Sequence, residues 1–477
     1  MRRVVWIYAM AGLSWALAFL LPFSSVPDDR VPQPEDDSAA FHSQLRPITM
    51  LRYGNSVLDV QARLNRGHLN PEQDGALYLD LEIRGLGDPT GGKLTTLLLI
   101  DRSGSMAGDK IQAARQSAER LLYQLADGDR IGIVSYGSDV NVDLPLTTID
   151  PLSRSVARRT LARIEEGGGT HLEGGLAAAF RMLAAEDLRG RIGRVLLISD
   201  GRPTEGSRES ARYQKWADDF RSLGVSLCTI GVGRDYDADL LATLAERSGG
   251  RFHDLRDASR LSRVLQDEIR HANHIVAHQV SLRLPEPLRA WAHPALFRKS
   301  SAQQNEANGI WVGDIAAGET RHILLRVEIP ASLRTTRAAV SFSAPELVYR
   351  RPARQVEESL SHPNAAFLLT PSPGFSFEQD SGQRAVEAQV TKMMYSERLL
   401  EAMRQIERGE VQQAVGTLEK QAKQLDTRAQ QTESALLRRE SASLRRVLDS
   451  LGADGDTGKL LPDLTKHQRA HAMELRR

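Results

Sequence analysis

The chain has 477 residues, more than a single hydrophobic core serves, so two or three domains are expected. Its 62 Lys and Arg nearly cancel its 61 Asp and Glu, and no basic stripe with interleaved aromatics runs through it, which argues against a dedicated nucleic-acid binder. The single cysteine, Cys228, lies in an apolar run as a small buried side chain would, and one thiol excludes a disulfide framework or a thiolate metal site within the chain.

Arg2 and Arg3 precede residues 4–21, which carry no charge. Positive residues stay on the cytoplasmic side, so residues 1–23 are expected to form a signal segment or, since no clean cleavage site follows, a retained single-pass anchor in the inner membrane. The bulk of the chain is then expected in the periplasm or outside the cell. Residues 24–48, with Pro27, Pro32 and Pro34, read as a solvated linker.

Leu58, Val60, Ala62 and Leu64 alternate with polar residues, as do Leu77, Leu79, Leu81 and Ile83, predicting two half-buried strands within residues 49–90. Two strands are not stable alone. Their partners are expected within residues 273–360, where Val280, Leu282 and Leu284, then Ile323, Leu325, Val327 and Ile329, then Val340 and Phe342 repeat the period of two. One β-sandwich interrupted by an inserted domain accounts for both sets.

The insert, residues 91–272, follows α/β grammar. Apolar runs at 96–100, 131–136, 194–199 and 226–232 read as strands buried on both faces, and 110–125, 172–188, 207–223 and 238–247 carry apolar residues at helical spacing. A doubly wound, mainly parallel sheet follows. A last helix over 258–271 runs directly into the returning sandwich strand.

Residues 361–384, rich in Pro, Ser and Gly, read as a linker, although 356–360 could add a strand. Over 385–451 helical periodicity takes over: Val390, Met393, Leu400, Met403 and Ile406 mark one helix, Gly409 ends it, and Val411, Val415, Leu418 and Leu425 mark an antiparallel partner. This helical hairpin, followed by a third helix from about 428 and a tail over 452–477, is too short to stand as a repeat array and is expected to pack on the rest of the chain or on a partner.

The chemistry gathers where strands of such a sheet end. Asp101-Arg102-Ser103-Gly104-Ser105 places one carboxylate and two hydroxyls at alternating positions of a tight loop after the first buried strand. Asp200 ends the strand over 194–199, and Gly167, Gly168 and Gly169 precede Thr170 on a loop able to approach the same edge. Ligands of open parallel sheets bind beyond these carboxyl ends. Oxygen donors without imidazole or thiolate select a hard cation, Mg²⁺ with Mn²⁺ as a substitute. If the hydroxyls bind directly and the aspartates largely through water, the ion stays one ligand short, and a carboxylate from a partner protein completes it.

This set resembles the metal-ion-dependent adhesion site of von Willebrand factor type A (VWA) domains, which are Rossmann-like α/β folds. The resemblance covers the insert and implies that Asp101, Ser103, Ser105, Thr170 and Asp200 surround the ion. His171 departs from the small polar residue more usual beside the threonine. The resemblance extends to bacterial proteins in which a β-domain flanks the metal-binding one, and implies a cation-dependent protein-binding module, not an enzyme. Rival readings are a metal-dependent hydrolase, for which His171 is the one candidate base, and a subunit whose metal is purely structural. Glycine spacings for nucleotide binding are absent. Glu165 and Glu166 read as a solvated face, and zinc at His271, His274 and His278 is disfavoured because a helix C-terminus attracts histidine through its dipole.

Overall fold

The computed structural model describes residues 46–69, 76–88, 92–207, 209–293, 309–334, 338–352, 356–371, 380–453 and several positions between 465 and 475. The expectation of a single-pass membrane protein is corrected here. Among the described residues no helix is long and apolar enough to cross a membrane, and residues 4–21, on which that expectation rested, lie outside them.

Four strands come first: β1 (Met50–Gly54), β2 (Leu58–Leu64), β3 (His68–Leu69) and β4 (Ala76–Gly85). The α/β insert holds β5 (Lys93–Asp101), α1 (Asp109–Leu122), β6 (Arg130–Tyr136), β7 (Val140–Thr148), α2 (Pro151–Ala162), α3 (Leu172–Ala184), β8 (Arg191–Ser199), α4 (Ser210–Ser222), β9 (Val225–Val232), α5 (Ala238–Ser248), β10 (Phe252–Leu255) and α6 (Leu261–Asn273). Its sheet runs β10-β9-β8-β5-β6-β7, parallel throughout except for the edge strand β7. Side chains of β5 alternate between two cores: Leu94, Leu98 and Ile100 pack with α1, α2 and α6, while Leu97 and Leu99 pack with α3, α4 and α5. From β5 the chain winds outward through β6 and returns on the other side as β8, so the strand order switches between β5 and β8.

Strand β7 and helix α2 escape a reading by periodicity. As an edge strand β7 buries only Leu144 fully, and α2 turns small residues, Ser153 and Ala157, with Leu161 towards the core. The legible signal for α2 is its cap: Asp150 accepts from Ser153 N at 2.6 Å, Ser153 Oγ accepts from Asp150 N at 2.8 Å, and Pro151 opens the first turn.

After the insert come β11 (Ile275–Arg283), β12 (Ala292–His293), β13 (Ile310–Ala316), β14 (Thr320–Glu328), β15 (Val340–Ser343), β16 (Glu346–Arg350), β17 (Glu357–Leu360) and β18 (Ala366–Pro371). They join the first strands in sheets β1-β2-β4-β14-β12, β13-β11-β16-β17 and β15-β18-β3, which share one apolar core. Pairing of β4 with β14, Leu81 opposite Ile323 and Leu79 opposite Leu325, closes the sandwich across the insertion. The expected linker 361–384 differs: β18 lies inside it, because Phe367 and Leu369 are fully buried and the Phe367 ring meets Phe342 at 5.2 Å between centroids.

Helices α7 (Ser381–Glu407), α8 (Val411–Gln431) and α9 (Ala435–Ala453) follow. The hairpin packs on its own chain: Val386, Val390 and Met393 of α7 cover Leu324 and Tyr78, and Asn65 Nδ2 donates to Glu387 Oε1 at 2.8 Å. The expected tail is partly helical, and its Ala472 and Leu475 join the core of the hairpin. Arg469 ties that region to Asp239 in α5, at 3.2 Å, and to Glu407.

Where the insert meets the sandwich, only His274 separates α6 from β11, and a buried charge network spans the joint. Arg194 of β8, 2% exposed, donates to Ser226 Oγ at 2.6 Å and lies 3.4 Å from Asp314 of β13. Asp314 also meets His278 Nδ1 at 2.8 Å and accepts from Gln279 N at 3.0 Å. Burial pushes the Asp314 carboxyl up, but His278 and Arg194 outweigh it and hold the group well below the usual carboxylate range. The stability this gives is complete above the ordinary carboxylate value near pH ~4 and is lost progressively as pH falls below it. Asp314→Ala leaves Arg194 buried without its carboxylate and is expected to cost about 3–5 kcal/mol, read as a lower urea midpoint at neutral pH. An unchanged midpoint would mean that the network does not hold the joint.

Candidate metal centre

Sheet register brings the two aspartates together. Asp101 is the last residue of β5, Asp200 follows the last residue of β8, and these strands are neighbours in parallel register with Ile100 opposite Ile198. Both carboxylates are fully buried at the carboxyl ends of the strands that flank the switch in strand order.

Each carboxylate is held by short-range donors. Asp101 accepts from Ser103 N at 2.9 Å and from Ser199 Oγ at 2.7 Å. Asp200 Oδ1 accepts from Ser105 Oγ at 2.7 Å, and Ser103 Oγ lies 3.1 Å from Ser105 Oγ. Lys110 Nζ approaches Asp200 Oδ2 to 2.5 Å. Burial pushes the Asp101 carboxyl up and the neighbouring Asp200 adds to the shift, against the bonds from Ser103 and Ser199 that favour the charged form.

Thr170 reaches the same point from the second loop. A methyl group added at Gly201 would stand 3.4 Å from both Ser105 Oγ and Thr170 Oγ1, so these hydroxyls converge over that glycine. The Thr170 backbone is fixed by the third loop: its N–H donates to Thr204 Oγ1 at 2.8 Å, and its carbonyl accepts from Thr204 N at 3.1 Å. Gly104 N donates to Gly168 O at 3.0 Å and Gly167 N to Arg102 O at 2.7 Å, lacing the first loop to the second. Gly168 has φ +80°, and a Cβ there would meet Ser138 Oγ at 2.9 Å, which only glycine avoids without strain.

All five predicted residues therefore gather at one end of the sheet. Asp101, Ser103, Thr170 and Asp200 are buried, whereas Ser105 is exposed. The donors are oxygens only, and a pair of adjacent buried carboxylates with hydroxyls fits a hard divalent cation. Ser199, Thr204 and Lys110 went unnoticed in the sequence. Ser199 hides at the end of an apolar run, while Lys110 carries a readable sign, a cation in the first turn of a helix.

The other candidates are engaged elsewhere. The His171 ring lies against Gly174, Nδ1 being 2.9 Å from where a Cβ would stand, and Glu166 lies 3.7 Å from Arg115. His271 meets Glu319 at 3.1 Å, His274 Nδ1 meets the Arg270 carbonyl at 2.7 Å, and His278 belongs to the joint. Among the described residues no group of three or more His, Cys, Asp or Glu side chains is placed to hold an ion.

Residues 97–267 match the family model of the von Willebrand factor type A domain. The Escherichia coli (strain K12) protein YfbK is 28% identical over 240 residues, covering 49% of this chain and 41% of that protein. The bovine inter-alpha-trypsin inhibitor heavy chain H1 is 24% identical over 195 residues, 40% of this chain and 22% of that protein. The chain thus spans well under half the length of these relatives. Among solved structures, a von Willebrand factor type A protein from Catenulispora acidiphila superposes with a TM-score of 0.66 at 15% identity, covering 89% of this chain and 98% of that one. The ArnB paralog VWA2 from Sulfolobus acidocaldarius gives 0.55 at 16% identity, covering 87% and 98%. Both share the fold.

Burial disfavours the ionised form of Asp101 in the folded protein, so neutralising it relieves a cost. Asp101→Asn keeps an acceptor for Ser103 N and is expected to melt no lower than the unaltered protein in a chelating buffer. A clear drop in that midpoint would show that the ionised carboxylate itself stabilises the fold.

Proposed function

From a chain that carries a von Willebrand factor type A domain, we propose that it is a divalent-cation-dependent protein-binding module, serving adhesion or complex assembly and not catalysis. The observation that carries this reading is the convergence of two fully buried carboxylates with the hydroxyls of Ser103, Ser105 and Thr170 where the strand order switches. Asp101, Ser103, Ser105, Thr170 and Asp200 would hold Mg²⁺, with Mn²⁺ as a substitute. The bound ion supplies a positive centre that a carboxylate of a partner protein can join.

The chain's own residues define the direction of approach. Ser105 is the exposed member of the set, so a partner reaches the ion over the first loop. Ser199 and the Ser103 amide orient Asp101 and favour its charged form against burial, while Ser105 orients Asp200. The hydrolase reading lacks support from a placed base, since the His171 ring rests on Gly174.

Calorimetry on the full chain is expected to give one Mg²⁺ or Mn²⁺ per molecule, no binding to Asp101→Asn, and roughly tenfold weaker binding to Ser199→Ala, the scale of losing an outer-shell partner. A strong preference for zinc over both ions contradicts the assignment. A protein partner retained from cell extract in Mg²⁺, released by chelator and not retained by Asp101→Asn supports the binding role; retention indifferent to chelator contradicts it.

A further inference from the structure

Among the described residues, Lys110 is the charged side chain that bonds a ligand carboxylate without belonging to the ligand set. It is the second residue of α1, where a cation opposes the helix dipole. Its ammonium is nevertheless tightly placed: Nζ lies 2.5 Å from Asp200 Oδ2 and donates to the Ser105 carbonyl at 3.2 Å. The loop after β9 closes over it. Gly233 has φ +84°, and a Cβ there would stand 3.3 Å from Lys110 Cε and 3.4 Å from Nζ, so glycine allows the backbone to lie against the ammonium. The Lys110 side chain keeps 30% exposure while Asp200 keeps none, which makes the ammonium the outer neighbour of a buried carboxylate.

Resting on the divalent-cation reading of this site, we propose that Lys110 sets the affinity of the centre by sharing Asp200 with the cation, lowering the negative potential that the ion meets. Two effects oppose each other. The ammonium helps to hold Asp200 in place, which favours binding, and it repels a divalent ion, which disfavours it. Orientation does not depend on Lys110, because Ser105 Oγ holds Oδ1 at 2.7 Å and Asp200 is fixed at the end of a central strand. Repulsion therefore decides the sign: the site binds its cation more weakly with Lys110 than without it. Lys110 is an affinity-setting residue, not a ligand. Removing it also strips the buried carboxylate of its fixed counter-ion, so the cation-free protein loses stability.

The test is calorimetric titration of Mn²⁺ into the full chain, unaltered and as Lys110→Gln, Lys110→Met and Lys110→Arg. The neutral variants are expected to bind roughly tenfold tighter, the scale of repulsion between a single and a double charge across a water-filled gap, and Lys110→Arg to stay close to the unaltered protein. The neutral variants should also melt earlier in chelator yet not in saturating Mn²⁺, a crossing that a merely structural lysine does not produce. Equal or weaker Mn²⁺ binding by both neutral variants overturns the proposal. No Mn²⁺ binding by the unaltered protein overturns instead the metal reading on which it rests. If the neutral variants fold only with the ion, they are purified in Mn²⁺ and its release is timed after adding chelator. Slower release than from the unaltered protein supports the proposal, and equal or faster release overturns it.

Discussion

A carboxylate cut off from water must find its compensation within the protein, since burying an unpaired charge costs several kcal/mol or more. Asp101 and Asp200 impose this twice within one site, and the surrounding residues answer it locally. Ser199 and the Ser103 amide serve Asp101, and Ser105 and Lys110 serve Asp200. The glycines of the second loop serve the same end: Gly168 lies against Ser138, and at Gly169 a Cβ would meet Thr204 Oγ1 of the third loop at 2.8 Å, so glycine lets Thr170 be held where its hydroxyl joins the set. What remains is two aspartates with partial compensation and three hydroxyls that converge, an oxygen-lined centre of the kind a small divalent ion completes.

A second buried charge system lies further back on the same strand. β8 carries Arg194 as its fourth residue and leads into Asp200, so the candidate metal centre and the joint with the sandwich share one strand. Helix α6 adds to the joint. Its Glu268 is buried and accepts from Arg251 at 2.7 Å and Cys228 at 2.9 Å. Burial pushes that carboxyl up, while His253 and Arg251 bring it well below the ordinary range. The buried cysteine thus acts as a hydrogen-bond donor to a structural carboxylate. The sandwich is continuous in sequence with both ends of the insert and packs against α7 through Tyr78 and Leu324.

Much of this was legible in the sequence because strand burial leaves periodic traces. Leu77, Leu79, Leu81 and Ile83 forecast a half-buried strand, and Leu325 and Val327 its partner, although nothing local specified that they pair across the insertion. Short apolar runs located β5, β6, β8 and β9; Asp101, Ser103, Ser105 and Asp200 stood out at or just after the ends of β5 and β8 and Thr170 after a glycine run, and the fold brings these five candidates together. Elements whose stability comes from context were missed. β7 is an edge strand with little to bury, α2 uses small residues, and β18 lies among Pro, Ser and Gly where two buried apolar residues are too few to show a period. Ser199 left no trace and Lys110 only that of a cation in a first helical turn, for a different reason: their roles depend on which carboxylate the fold brings beside them, and periodicity carries no information about that. The helical region was read correctly as a hairpin, but its seat on Tyr78 and Leu324 is a tertiary fact.

The most direct measurement is anomalous diffraction from a crystal of the protein grown or soaked in Mn²⁺. One strong peak is expected within bonding distance of the Ser103, Ser105 and Thr170 hydroxyls, with Asp101 and Asp200 around it. A protein crystal saturated with Mn²⁺ that shows no peak there, or shows its peak elsewhere, would contradict the assignment of these five residues to a metal centre.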